Sequence, residues 1–136
     1  MAIKGACLCG QVTITLESEH NDQVACHCND CKQTSGSAFS TNVLAPQKDV
    51  KIEGSFKVYD SKGASGNTVS RIFCSNCGSA ISHKSVAFGE AQAIQTGNFT
   101  HFSKIPFAAE LFVKDRWEGL GPIPGAAGQF QIMPDH

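Results

Sequence analysis

Seven cysteines gather in three tight groups, Cys7-Leu8-Cys9, Cys26-His27-Cys28-Asn29-Asp30-Cys31 and Cys74-Ser75-Asn76-Cys77. Thiolates at such spacings are the donor set of a soft metal, and zinc is the ion that closely spaced cysteine pairs ordinarily hold. Two closed sites of four thiolates would need eight cysteines. Seven therefore predicts one closed site and a second site of three thiolates with an open position, two zinc ions per chain in all. The open position is where chemistry is expected.

Disulfides are the competing use of so many cysteines. The chain opens Met1-Ala2-Ile3-Lys4 with no apolar signal segment, which points to a reducing, cytoplasmic setting, and an odd count would strand one thiol. A redox role for the two Cys-x-x-Cys pairs lacks the strand-to-helix context of thioredoxin-type motifs.

Spacing also suggests how the ligands divide. Gly5 and Gly10 flank Cys7-Leu8-Cys9 and offer the bend that brings two sulfurs to one point, while Cys74-Ser75-Asn76-Cys77-Gly78 has the form of a zinc knuckle. These two pieces make a closed four-thiolate site. Cys26, Cys28 and Cys31 then form a compact clip with one face open. The competing division pairs Cys28 and Cys31 with Cys74 and Cys77 as a ribbon, leaving Cys7, Cys9 and Cys26 for the second site. Its 42 intervening residues exceed the usual ribbon spacing of roughly 15 to 20.

Three thiolates leave zinc with a net negative formal charge, which blunts its Lewis acidity and makes activation of water a less natural task. A thiol suits the open position better. There it would give up its proton and attack an electrophile, or leave an adduct in the reverse direction. Carbon–sulfur bond chemistry is the expected reaction class.

The elements that must position these ligands are mostly strands. Val12, Ile14 and Leu16 alternate with threonines, and Phe56–Tyr59, Val69–Phe73 and Leu111–Val113 read as further short strands. Helical periodicity is weak throughout. The stretch from Ser61 to Asn67 reads as a hairpin tip, with a lid over a site as the alternative. At 136 residues the chain suits a single zinc-binding domain over residues 1–136. Its net charge of −1, from 11 basic and 12 acidic residues, offers no electrostatic footprint for nucleic acid or an anionic membrane, and no apolar stretch approaches a membrane span.

The ordered set Gly5-Ala6-Cys7-Leu8-Cys9-Gly10-Gln11-Val12, Cys26-His27-Cys28-Asn29-Asp30-Cys31-Lys32-Gln33-Thr34-Ser35-Gly36 and Phe73-Cys74-Ser75-Asn76-Cys77-Gly78-Ser79 resembles the glutathione-dependent formaldehyde-activating enzyme family, to which the centromere protein V domain is also similar. The resemblance implies a mainly β, Mss4-like twisted sheet architecture stapled by zinc. It also implies structural zinc on Cys7, Cys9, Cys74 and Cys77, and catalytic zinc on Cys26, Cys28 and Cys31. The implied activity is that of a carbon–sulfur lyase joining a glutathione-like thiol to a small aldehyde such as formaldehyde, giving an S-(hydroxymethyl)glutathione-type adduct. Its partners are then a small thiol and an aldehyde. The segment Pro106–Trp117 is similar to the family too, although family members often carry Pro-Trp after the basic–acidic–basic stretch, and here Trp117 comes early and is followed by Glu118-Gly119.

Other residues carry two readings each. His27 is expected to point away from the clip, with a fourth-ligand or proton-shuttle role as the alternative. Ser35 and Gly36 end the clip's turn or line a pocket. Glu110 and Asp115 are acid–base candidates or salt-bridged carboxylates. Lys32, Arg71, Lys114 and Arg116 are surface charges or carboxylate anchors. His83 and His101 read as structural, and Phe39, Phe73, Phe99, Phe107 and Phe112 as core or pocket lining. The alternative to an enzyme is a non-catalytic zinc module for protein interaction, whose clip is closed by a fourth side chain.

Overall fold

The computed structural model describes residues 2–63 and 65–132. Two β-sheets form its framework, in line with the mainly β expectation. The smaller sheet has the order β1-β2-β5, built from Ile3–Ala6, Val12–Leu16 and Val50–Gly54 in antiparallel register. The larger runs β11-β10-β3-β4-β9-β8-β7-β6. Its strands are β3 (Gln23–Cys26), β4 (Ser40–Pro46), β6 (Phe56–Lys62), β7 (Thr68–Cys74), β8 (Ala80–Ser85), β9 (Ala91–Gln95), β10 (Phe107–Leu111) and β11 (Gly128–Gln129). All its pairings are antiparallel except those of β10, which runs parallel to both β3 and β11.

The period of two along each strand gives the large sheet two different faces. Val43 and Ala45 of β4, Ile72 and Cys74 of β7, Ile81 of β8 and Ile94 of β9 are buried in one core with Val12, Ile14 and Leu16 of the small sheet, closed by Phe99 and Phe102. The alternate residues of β4, β7 and β9 point the other way, so Asn42 and Leu44, Val69 and Arg71, and Ala93 line a cavity on the opposite face. His83 and Ser85 of β8 join them because a register shift opposite Ile72 and Phe73 separates them from Ile81. A one-residue slip in register would exchange the two sets, so the core pattern also dictates what the cavity contains.

Three sequence expectations need adjusting. The strand expected at Leu111–Val113 ends at Leu111, because Phe112 turns into the left-handed region (φ 54, ψ 45) and a 3-10 turn follows over Val113–Asp115. That turn swings the Phe112 ring into an apolar cluster with Cys26, Cys31 and Leu111. Helical structure was not foreseen, yet the clip contains a short α-helix, α1, over Asn29–Ser35. Its sequence has no apolar stripe. Its visible signals are the acidic residue of the first turn and Gly36, which ends it at φ 65. Finally, the bend at the first cysteine pair uses Gly10 (φ 82) but not Gly5. Gly5 sits inside β1 where a Cβ would lie 2.6 Å from the Asn98 carbonyl oxygen and from the Phe99 ring.

The Ser61–Asn67 hairpin tip has the expected position, with β6 running to Lys62 and β7 starting at Thr68. No helix among the described residues is long and apolar enough to cross a membrane.

Candidate metal centres and the adjoining cavity

The structure gathers the sulfurs in two groups, Cys7 with Cys9, Cys74 and Cys77, and Cys26 with Cys28 and Cys31, each with ligand atoms within 4.8 Å of one another. The ribbon pairing of Cys28 and Cys31 with Cys74 and Cys77 does not occur. The first group is assembled by two turns, one between β1 and β2 and one between β7 and β8. In the second turn the Gly78 N–H donates to the Cys74 carbonyl at 3.0 Å while Gly78 takes φ 79.

The donor set of this group fits zinc. A tetrahedron with bonds of about 2.3 Å has edges of about 3.8 Å. The Cys7–Cys9 and Cys9–Cys74 sulfurs lie 3.6 and 3.7 Å apart. Backbone N–H groups are aimed at the sulfurs as they are at bound thiolates, from Val12 to Cys7 at 3.2 Å and from Asn76 and Cys77 to Cys74 at 3.4 Å each. The Ser79 hydroxyl, 3.1 Å from the Cys77 sulfur, leads a set of hydrogen bonds that lowers that thiol to about 5. Hydrogen bonds headed by the Asn76 side chain lower Cys9 in the same way.

The clip is built differently. Cys26 ends β3, Cys28 is the N-cap of α1, and Cys31 lies within its first turns; the Cys31 N–H donates to the Cys28 sulfur at 3.3 Å. A helix start is suited to thiolates because its free N–H groups and dipole favour negative charge. Hydrogen bonds from the Cys26 and Cys28 thiols hold Cys31 down to about 2. Cys28 is drawn down by its contact with Cys26, but Cys31 and burial prevail and push it up to about 11. Cys26 is pushed upward by its contacts with the other two. The three thiols oppose one another's ionisation, and a divalent ion bound between them would let all three ionise.

Behind the clip lies a buried polar network. His27 is buried, packs at a tilt against Phe39 with 5.3 Å between ring centroids, and places Nε2 2.7 Å from Glu110 Oε1. Its ring is thereby turned away from the sulfurs, as expected, and the carboxylate acceptor assigns the proton to Nε2. Glu110 is fully buried. Its second oxygen accepts from the Arg116 guanidinium at 3.0 Å, the Ile123 N–H at 3.0 Å and the Gln129 amide at 2.8 Å. Burial alone would raise this carboxyl; the hydrogen bonds from Gln129, Ile123, His27 and Arg116 outweigh it and bring it down to about 2. Glu110 is therefore a structural carboxylate that ties three points of the C-terminal segment to the clip, and the acid–base reading of it gives way.

In front of the clip opens a cavity of about 370 Å³. The three sulfurs share its lining with Val24, Leu44, Phe88, Leu111 and Phe112, with the hairpin tip at Gly63 and Ser65, and with Lys62, Arg71, Lys114 and Asp115. Of the four cations singled out from sequence, Arg71 and Lys114 reach the cavity. Arg116 is committed to Glu110. Lys32 turns to the Asp115 carbonyl and lies 5.9 Å from the Trp117 ring centre. Trp117 itself is exposed and takes no part in the cavity wall. Ser35 bonds back to the Cys31 carbonyl at 2.6 Å, so it and Gly36 end the helix. His101 lies on the far surface beside Phe102.

His83 was read as structural, yet it lines the cavity. Burial holds it well down, to about 4, so the ring is neutral there. Its Nδ1 lies 3.3 Å from the Gln95 amide, which donates to Asn42, which in turn donates to Ser40, whose side chain helps to hold the Cys31 thiol down. Sequence gave no sign of this chain of contacts, since its members come from β4, β8 and β9. Strand pairing brings them together.

Fold and site together define a mainly β protein with twisted sheets and two cysteine clusters that could hold metal ions. A family model for the glutathione-dependent formaldehyde-activating enzyme matches residues 2–115, and the chain belongs to that family. Its fold is similar to a crystal structure of a Rhodobacter sphaeroides protein solved as a Northeast Structural Genomics target. That similarity has a TM-score of 0.58 and 20% sequence identity, covering 77% of this chain and 99% of the other. A comparison with curated proteins finds no match.

Proposed function

We propose that the protein is a zinc-dependent carbon–sulfur lyase that adds a glutathione-like thiol to a small aldehyde, formaldehyde in the family's named reaction, and releases it in reverse. In this reading Cys7, Cys9, Cys74 and Cys77 hold a structural zinc, and Cys26, Cys28 and Cys31 a catalytic one. The observation that carries it is the three-sulfur clip opening on a cavity: among the described residues no histidine, carboxylate or further cysteine joins the group. A zinc ion bound there would supply a soft Lewis acid that favours the thiolate form of the substrate.

The chain's own residues supply the rest. The start of α1 and the N–H of Cys31 set the ligand sulfurs, while Phe112 and Leu111 exclude water from one side of the clip. The His27–Glu110 pair fixes the backbone between Cys26 and Cys28. In the forward direction the thiol sulfur forms a bond to the carbonyl carbon, the C=O π pair moves to oxygen, and that oxygen gains the proton the thiol gave up. The reaction consumes free thiol and its ligands are thiolates, so it belongs in a reducing compartment such as the cytoplasm.

The non-catalytic module requires a side chain to close the clip. The obvious donor, His27, bonds Glu110 through Nε2, and neither of its ring nitrogens joins the three-sulfur group. The test is exchange spectroscopy on thiol and aldehyde pairs with the zinc-loaded protein. Faster adduct exchange than in buffer for at least one pair is expected, and no acceleration for any pair would remove the enzyme reading.

A further inference from the structure

The cavity's charged groups are not equivalent. Lys114 is paired with Asp115 at 3.6 Å. Arg71 is half-buried, and its one side-chain hydrogen bond among the described residues runs from Nη1 to the Thr34 hydroxyl at 3.4 Å, a long contact. No carboxylate lies within ion-pair distance of Arg71 among the described residues, although Asp30 and Asp115 share the cavity lining. Lys62 stands nearby at the hairpin and donates to the Thr68 hydroxyl at 3.3 Å. A guanidinium offers five N–H donors in a planar fork suited to a carboxylate, and partial burial strengthens whatever anion it meets. Its strand neighbours do not compensate the charge, since Arg71 lies opposite Tyr59 on one side and His83 on the other.

Thr34 belongs to α1, the helix that also carries Cys31. The Arg71 side chain therefore reaches across the cavity face of the sheet toward the clip. A molecule with its sulfur at the clip and an anionic group at Arg71 would satisfy both ends of the cavity at once. Leu44, Phe88 and Ala93 would lie beneath the carbon skeleton.

We propose that Arg71 is the specificity-determining residue of the cavity, selecting thiols that bear a carboxylate, with Lys62 adding a weaker attraction at the rim. This rests on the reading of the cavity as a thiol site. The test is calorimetric binding of N-acetylcysteine and of N-acetylcysteine amide, which lacks the carboxylate, to zinc-loaded wild type, Arg71→Gln and Arg71→Lys. Folding and zinc content of each variant are verified first. The preference for the acid over the amide should fall on the order of tenfold in Arg71→Gln, as expected for loss of one charge-assisted contact, and be partly kept in Arg71→Lys. Comparing the ratio across variants cancels the intrinsic difference between the two thiols. If both bind wild type and the ratio is unchanged in Arg71→Gln, the inference is wrong while the thiol site stands. If neither binds wild type, the thiol-site reading is lost and this inference with it.

Discussion

The two sulfur clusters differ least where a difference would be looked for first, in depth. Each cluster has two buried cysteines, Cys7 and Cys74 at 5% and 0% exposure in one and Cys26 and Cys31 at 8% and 2% in the other, and Cys9 of the four-cysteine cluster is at the surface. What separates them is the number of ligands and what lies in front. The four-cysteine cluster closes on itself and welds the β1–β2 turn to the β7–β8 turn across 65 residues of sequence, with Cys7 and Cys74 packed into the main core. The clip takes six consecutive residues, joins little beyond its own neighbourhood, and faces a cavity. Burial of a cysteine is therefore a poor guide to its role; the span it bridges and the space it faces are better ones.

The largest expected effect breaks that comparison directly. Cys74→Ser should leave no soluble folded protein, because a structural zinc can contribute on the order of 10 kcal/mol, comparable to the whole stability of a domain. Cys28→Ser should remain folded and carry one zinc equivalent in place of two by atomic absorption. A folded Cys74→Ser protein would mean that the structural and catalytic roles are reversed.

Next comes the network behind the clip. Glu110→Ala leaves the Arg116 guanidinium and the facing N–H groups without their acceptor in a buried place. We expect a loss of about 3 kcal/mol in denaturant unfolding, as for breaking a buried pair from one side. Glu110→Gln should cost less. A change under about 0.5 kcal/mol for Glu110→Ala, the range of ordinary surface substitutions, would show the network to be incidental.

The same carboxylate sets an acid limit. Its folded value of about 2 lies below the ordinary 4.5, so its stabilising contribution is full above that ordinary value and is lost as pH falls from there toward 2. Wild type and Glu110→Gln should therefore converge in stability across that window. Parallel curves down to pH 2 would contradict the assignment.

Two glycines sharpen the comparison at smaller scale. Gly5→Ala, beside the four-cysteine cluster, would press a methyl against the Asn98 carbonyl and the Phe99 ring, and should cost about 1–3 kcal/mol in thermal unfolding. Gly36→Ala, at the end of the clip helix, meets nothing within 4 Å and should cost only about 1 kcal/mol through its left-handed backbone. The reverse order would indicate that the clip, and not the closed cluster, tolerates no change in backbone.

Much of this was legible in the chain because cysteine spacing is a local quantity. The knuckle at Cys74–Gly78, the clip, and the alternation of Val12, Ile14 and Leu16 each fit within a few residues. The walls of the cavity were not legible. His83, Phe88 and Leu44 acquire their role only when β4, β8 and β9 are set side by side, and nothing within any one strand marks the face that will look outward. Of the two readings of Glu110 the salt-bridged one holds, but its partners were not legible, since Arg116, Ile123 and Gln129 are gathered by a return of the chain that no periodicity announces. Phe112 was placed in a strand because its side chain suits one; tertiary packing against the clip overrode that preference.

The interval between ligands also has a consequence in time. During synthesis the clip has all its sulfurs once residue 31 has left the ribosome, whereas the four-cysteine cluster must wait for residue 77. If both clusters take metal, capture by the growing chain would begin at the clip, on a segment that has no sheet to lean on. The later cluster then fixes the order of assembly, holding the ends of a long loop together while β3 and β4 find β9 and the tail returns to dock on Glu110. On the zinc reading proposed above, a cell short of the metal would lose new copies of the protein at the folding step before metal left the copies already made.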